Sequence, residues 1–293
     1  MFRKNAPLSV TVKPSNSRVA IRRFVPSDIV QGLELCRIAG WNQLEADWKC
    51  LLAAAPEGLF SAVEDGRVWG TASAVLHPPS LGWIGMILVH PEKRGRGIAA
   101  TLMDACISHL RAKGVGTIKL DATELGRPVY LKLGFRDEQP LHRMVLECEL
   151  ASDAPRNRTQ PPAWFHDFDR SAFGADRSGT LSHLIQCGEA EFFQSPGGDC
   201  AAVFLRHGFH ATFLGPVVAT SRNEAKTAIQ RLLSRTHSNR IVADVFPEHP
   251  ESRRLFEELG FRTDRRLMRM ALGESTLAGF SPQTFAAAGF EWG

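Results

Sequence analysis

Tyrosine is almost missing from this chain: one, Tyr130, stands among 293 residues. Cysteine is sparse, with six residues at 36, 50, 106, 148, 187 and 200 and no Cys-x-x-Cys pair. No His/Cys grouping has zinc-ligand spacing, so no structural metal is expected. The cysteines read as small buried hydrophobes in a reduced compartment. No apolar run is long enough to span a bilayer, and Met1 to Val10 lacks the apolar core of a signal peptide. These absences point to a cytoplasmic protein without a membrane partner. A strong charge imbalance is lacking too. Thirty-five basic residues face 31 acidic ones, a formal net charge of +4. A local phosphate site accounts for that excess without nucleic acid.

What is present is ordinary globular composition, 44% hydrophobic and 23% charged, at a length that suggests two domains. Arg18 to Phe24 alternates as a first strand, and Pro26-Ser-Asp28 starts a helix that Gly40 ends. Trp41 to Ala55 is a second helical stretch. Leu59 to Val63 and Val68 to Leu76 read as strands joined at Asp65-Gly66. Trp83 to Val89 is a continuous apolar run, hence a strand buried on both faces. A loop, His90 to Gly97, leads into a helix from Ile98 to Lys113, whose Ile98, Leu102, Ala105, Cys106 and Leu110 share one face. Thr117 to Asp121 is a strand, Pro128 to Leu133 a short helix, and Met144 to Leu150 a closing strand.

Residues 151 to 163 are polar and Pro-rich, a linker between a unit at 1–150 and another at 164–293. The second unit is a faint copy of the first. Phe213 to Ala219 parallels the buried strand around Gly85, and Arg240 to Asp244 parallels the strand ending at Asp121. Leu255-Phe-Glu-Glu-Leu-Gly-Phe-Arg262 parallels Val129-Tyr-Leu-Lys-Leu-Gly-Phe-Arg136. Three matches in one order argue for tandem duplication.

A pyrophosphate held without a metal needs free N–H donors, a positive helix end and glycines that let the backbone come close. Arg94, Gly95, Arg96, Gly97, Ile98 and Ala99, between a buried strand and a helix, supply these, with two guanidinium groups added. Gly95-x-Gly97-x-x-Ala100, with Asp121 about 20 residues on, also satisfies a dinucleotide-binding pattern and so suggests an oxidoreductase. Against it, five residues separate strand and glycine, and the loop follows a hairpin meander.

Arg94-x-x-Gly97-x-Ala99 resembles the Arg/Gln-x-x-Gly-x-Gly/Ala motif of the GNAT (GCN5-related) N-acetyltransferases. Tyr130-Leu-Lys-Leu-Gly-Phe135 resembles their Tyr-x-x-x-Gly-Phe segment. The resemblance covers about residues 18 to 150. It implies an α/β fold of two acyl-CoA N-acyltransferase-like domains, each with a mixed, mainly antiparallel sheet flanked by helices. It implies acetyl-CoA bound at residues 94–99, with pantetheine along Ile87, Leu88 and Val89 and a backbone N–H near Leu88 stabilising the oxyanion. It implies Tyr130 as the acid that protonates the departing thiolate, which a phenol can do. Direct attack by an unidentified amine acceptor is expected, with no metal. For its base, Asp121 at a strand end comes first, ahead of Glu124, His77 and His90. Trp41, Asn42, Gln43 and Asp47 stand where the family's first two helices build the acceptor pocket. A non-catalytic acyl-CoA sensor on the same fold is the alternative.

The second half has lost this chemistry. Thr220 to Ala225 has no glycine and carries Glu224, and Phe256 replaces the tyrosine. From Val89 to Asp121 is 32 positions, but from Ala219 to Asp244 only 25. The tail, Ala278 to Gly293, carries Phe280, Phe285, Phe290 and Trp292 and is expected to dock on a surface or a partner, self-association included.

Overall fold

The computed structural model describes residues 19–150, 159–274, 279 and 281–293. Linker residues 151–158, Ala278 and Phe280 lie outside them. The first half runs β1 (Ala20–Arg23), α1 (Ile29–Ile38), α2 (Glu45–Ala54), β2 (Leu59–Glu64), β3 (Arg67–His77), β4 (Leu81–Val89), α3 (Ile98–Ala112), β5 (Thr117–Ala122), α4 (Arg127–Lys132) and β6 (Arg136–Leu150). The second half runs α5 (Phe165–Phe173), α6 (Ser178–Cys187), β7 (Glu189–Gln194), β8 (Cys200–Arg206), β9 (Thr212–Ala219), α7 (Arg222–Leu233), β10 (Ser238–Val245), α8 (Pro250–Glu258), β11 (Arg262–Gly273) and β12 (Thr284–Ala286). Apart from β1 in the first half and β12 in the second, the same element order recurs and matches the internal repeat.

The second helix starts later than the sequence suggests. Residues 41–44 are loop, and the Asp47 carboxylate accepts from the Leu44 N–H at 2.7 Å to fix the start of α2. The strand expected from Met144 begins at Arg136 instead. Its pairing strands lie far along the chain, so local pattern understated it.

The described strands form one twelve-stranded sheet, ordered β1-β2-β3-β4-β5-β11-β6-β10-β12-β9-β8-β7. The halves therefore interleave at the centre. β11 from the second half sits between β5 and β6 of the first, and β6 pairs with β10 of the second. Two buried ion pairs mark the exchange. Arg269 on β11 grips Asp121 on β5 at 2.8 and 3.0 Å, and Arg143 on β6 grips Asp244 on β10 at 2.8 and 2.7 Å. Arg143 and Arg269 each stand seven residues past a Leu-Gly-Phe-Arg arginine. The joint obeys the repeat.

Helices cover both faces. One face of β4, through Trp83, Met86 and Leu88, packs in a core with Phe24, Trp48 and Trp292. The other, through Ile84, packs on Leu102, Met103 and Cys106 of α3. The second half has its own core around Val217, Ile229, Ile241, Phe256 and Phe285. The cysteine reading needs correction: Cys50 on α2 and Cys187 on α6 are joined as a disulfide, while Cys36, Cys106, Cys148 and Cys200 are free. No helix among the described residues is long and apolar enough to cross a membrane.

Candidate active site

β4 and β5 run parallel and pair at Leu81–Thr117, Gly82–Ile118 and Trp83–Lys119, where the register ends. β4 continues to Val89 and β5 to Ala122. Past Trp83, β4 therefore has no strand partner on this edge among the described residues, and a cleft opens between the two strands. A bulge sharpens this. Ser73 pairs with Gly85 but Thr71 with Leu88, so β4 holds an extra residue there. Met86 takes φ 52°, and the Thr71 hydroxyl donates to its carbonyl at 2.9 Å. A positive φ on a bulky residue inside a strand is costly. It turns the backbone at Ile87 and Leu88, the stretch expected to carry pantetheine and the oxyanion donor.

The loop after β4 makes a 3-10 turn at Pro91–Lys93, and the Arg94 Nε donates back to the Val89 carbonyl at 3.1 Å. Gly95 has φ 74° and Gly97 φ 79°, with nothing within 4 Å of where a Cβ would sit. Gly97 is the N-cap of α3. The first-turn amides of α3 have no partner within the helix and point into the space these glycines leave open. Arg94 and Arg96 are exposed beside them. Ile98 is buried as the first core residue of α3 and Ala99 is half-buried. This loop fits an anionic diphosphate on charge, donors and room.

Tyr130 is buried on α4, its ring 6.2 Å from that of Phe135 and close over Gly126. Burial first, and the neighbouring Cys106 second, push its phenol up to about 12. The hydroxyl keeps its proton at neutral pH, as an acid must.

The base candidates fare differently. The carboxylate of Asp121 is fully buried in its pair with Arg269, where it holds the exchanged strand rather than facing an amine. This corrects the sequence reading, which saw the strand end but not the partner 148 residues away. His77 is fully buried, its Nε2 on the Trp292 carbonyl at 3.0 Å, and burial first, then Arg177, lower its pKa to about 3. Glu124 is exposed beyond β5, and His90 is half-buried at the end of β4.

The residues expected to bind the acceptor are also committed elsewhere. The Asn42 side chain accepts from the N–H groups of His210 and Ala211 at 2.8 and 3.0 Å and donates to the Ala211 carbonyl at 2.8 Å. Asp47 bonds Arg206 at 3.1 Å, and the same Arg206 Nη1 reaches Glu291 at 3.0 Å. Gln43 donates to Glu291 at 3.4 Å, and Trp41 meets Phe290 edge-on at 6.2 Å. Burial raises the Asp47 carboxyl; Arg206 opposes this and Glu291 adds to it. The cavity among these groups is about 20 Å³, room for one water and not for an amine substrate. The pocket reading of Trp41, Asn42, Gln43 and Asp47 is therefore corrected: they join the first half to the second half and the tail. The tail does dock as expected, but on its own chain.

The dinucleotide reading loses its setting. Here the glycine loop follows the fourth strand of an antiparallel meander rather than the first strand of a βαβ series.

The acetyltransferase (GNAT) family pattern matches residues 29–135, and an acetyltransferase (GNAT) domain pattern matches residues 165–286. Glucosamine 6-phosphate N-acetyltransferase of Trypanosoma brucei brucei is 33% identical over 125 residues, 40% of this chain and 78% of that protein. Mycothiol acetyltransferase of Thermomonospora curvata is 35% identical over 83 residues, 27% of this chain and only 28% of that protein. In structure, an acetyltransferase-class protein of Pyrococcus horikoshii superposes with a TM-score of 0.76 at 19% identity, over 100% of this chain and 99% of its own.

Proposed function

Because the chain belongs to the GNAT acetyltransferase family in both of its halves, we propose that its first half is the working one, transferring acetyl from acetyl-CoA to an amine. One observation carries the reading: β4 parts from β5 at Trp83, bulges at Met86 and leads into the glycine-bracketed start of α3. The co-substrate supplies an activated thioester. The amides of α3 with Arg94 and Arg96 hold its diphosphate, and Ile87, Leu88 and Val89 line its arm. A backbone N–H near Leu88 receives the developing oxyanion. The amine nitrogen bonds the acyl carbon as the carbon–sulfur bond breaks, and Tyr130 gives its proton to the thiolate. The amine's proton leaves toward the open end of the cleft, where Glu124 is exposed and His90 is half-buried.

The acceptor class takes its lead from the relative that acts on glucosamine 6-phosphate, so amino sugars and their phosphates head the test. Thiol release from acetyl-CoA is followed with glucosamine 6-phosphate, glucosamine and simple polyamines and amino acids. Acceptor-dependent release supports the reading. Acetyl-CoA binding by calorimetry with no release across the panel favours a non-catalytic acyl-CoA sensor, and absence of binding removes both.

A further inference from the structure

The second half has the same parting of strands, but something fills it. β9 and β10 pair in parallel at Thr212–Ile241 and Phe213–Val242 and then separate. β12 enters the gap, antiparallel to both, with Ala286 opposite Val217 and Val245 and Thr284 opposite Val218. The Ala219 N–H donates to the Gln283 carbonyl and the Ala287 N–H to the Asp244 carbonyl, each at 2.9 Å. A bulge equates the halves. Leu205 pairs with Leu214 and Val203 with Val217, just as Ser73 pairs with Gly85 and Thr71 with Leu88. Val217 thus corresponds to Leu88, and β12 lies where the first half is read to hold the cofactor's arm.

Anchors from α8 secure it. The Ser252 hydroxyl donates to the Phe285 carbonyl, and His249 Nε2 meets the Pro282 carbonyl at 2.7 Å. Phe285 is buried in the second-half core. Small residues follow, and Gly215 leaves room for them: a Cβ there would lie 2.1 Å from the Ala287 carbonyl.

The chain then runs on between the halves. From the second half, Arg206 donates to the Ala288 carbonyl at 2.7 Å and Arg177 to the Gly293 carbonyl at 3.2 Å; from the first half, Trp83 Nε1 donates to the Phe290 carbonyl at 3.0 Å. The backbone passes so close to β4 that a Cβ on Gly85 would come within 2.8 Å of Glu291 Cα. Gly85 is one residue before the bulge at Met86.

We infer that the second half's cleft is a strand-binding site whose ligand is residues 283–287, and that its grip holds residues 289–293 as a wall on the face of β4 opposite α3. Strand addition on two edges gives the grip, since main-chain hydrogen bonds satisfy β9, β10 and the ligand at once. Any use of the wall in acceptor binding rests on the acetyltransferase reading; the grip does not.

Hydrogen exchange of the full chain, without acetyl-CoA, tests this. Ala287→Pro removes the donor to Asp244 and leaves the aromatic side chains in place. Exchange is expected to quicken about tenfold in 281–293, in Val217–Ala219 and in Trp83–Gly85, while β1 and β2 stay protected. Ser252→Ala, a milder change that also guards against misfolding of the first variant, is expected to speed the same three segments about threefold. A synthetic peptide of residues 281–293 added to Ala287→Pro is expected to restore protection at Val217–Ala219. Unchanged exchange at Trp83–Gly85 in both variants, or a wild-type tail that exchanges freely beside protected β9 and β10, overturns the inference. Because acetyl transfer is not read, an inactive protein with these exchange changes would sink only the enzymatic reading.

Discussion

Two copies of one framework sit side by side here, and they differ at the points where chemistry would happen. In the first half, eight residues with two left-handed glycines link β4 to α3; in the second, only Thr220 and Ser221 separate β9 from α7. Tyr130 packs against Phe135, and at the equivalent positions Phe256 packs against Phe261, edge-on and without a hydroxyl. The paired bulges and the paired Asp–Arg grips are retained in both. Side-chain packing and strand joints have been kept where the sheet needs them. Loop length, glycines and the phenol are absent from the second half, at the places where the proposed function puts the cofactor. The comparison teaches that a framework can persist where the groups suited to chemistry do not.

The largest test strikes what the halves share. Arg269→Ala and Arg143→Ala each leave a buried carboxylate, Asp121 or Asp244, without its partner. Each should cost about 3–5 kcal/mol in urea unfolding. Costs that differ several-fold between the two would break the equivalence drawn across the central joint.

The next strikes what they do not share. Tyr130→Phe should lower turnover about 10- to 1000-fold with acetyl-CoA affinity unchanged. Phe256→Tyr should add no activity in steady-state assays. A gain there, or undiminished turnover in Tyr130→Phe, would remove the functional asymmetry.

A smaller effect separates the loops. Gly97→Val places a β-branched residue at φ 79°, straining the start of α3 by about 1–2 kcal/mol. Calorimetry should give one acetyl-CoA per wild-type chain and at least about tenfold weaker binding in the variant. Two equal sites per chain would show that the second half still binds.

A pH test sharpens where the tail is held. His77 is neutral in the fold, its pKa lowered to about 3 by burial and then by Arg177. The unfolded ring takes up a proton below about pH 6.5, so stability falls with acidification from there toward pH 3, by up to about 1.4 kcal/mol per pH unit. His77→Gln should flatten that limb in urea titrations at pH 7, 5 and 4. An unaltered slope would mean that the tail's contact with the first half does not depend on a neutral ring.

The legible part of this protein was its local part. Alternation and caps gave β2, β3, β4 and α3 nearly to the residue, because their burial is written in adjacent positions. Gly95 and Gly97 were readable because only glycine rests easily at their φ. Asp121 was misread because its partner, Arg269, belongs to the other half. Asn42 and Asp47 were misread for the same reason: a polar loop residue looks identical whether it awaits a ligand or a neighbouring domain. The repeat itself carries the missing signal: Arg143 and Arg269 stand at equal distance from Leu-Gly-Phe-Arg, each across from the strand-end aspartate of the opposite half.

The exchange of β6 and β11 also sets an order on synthesis. When the ribosome has released β6, the position between it and β5 is empty, because β11 lies more than a hundred residues further on. A nascent first half would carry three raw strand edges throughout that interval, one on β5 and both on β6, the condition under which chains pair with the wrong neighbour. Halves expressed as separate genes should therefore precipitate singly and be recovered only when co-expressed. A lineage that joined two copies this way could afterwards discard the chemistry of one copy, but not its strand.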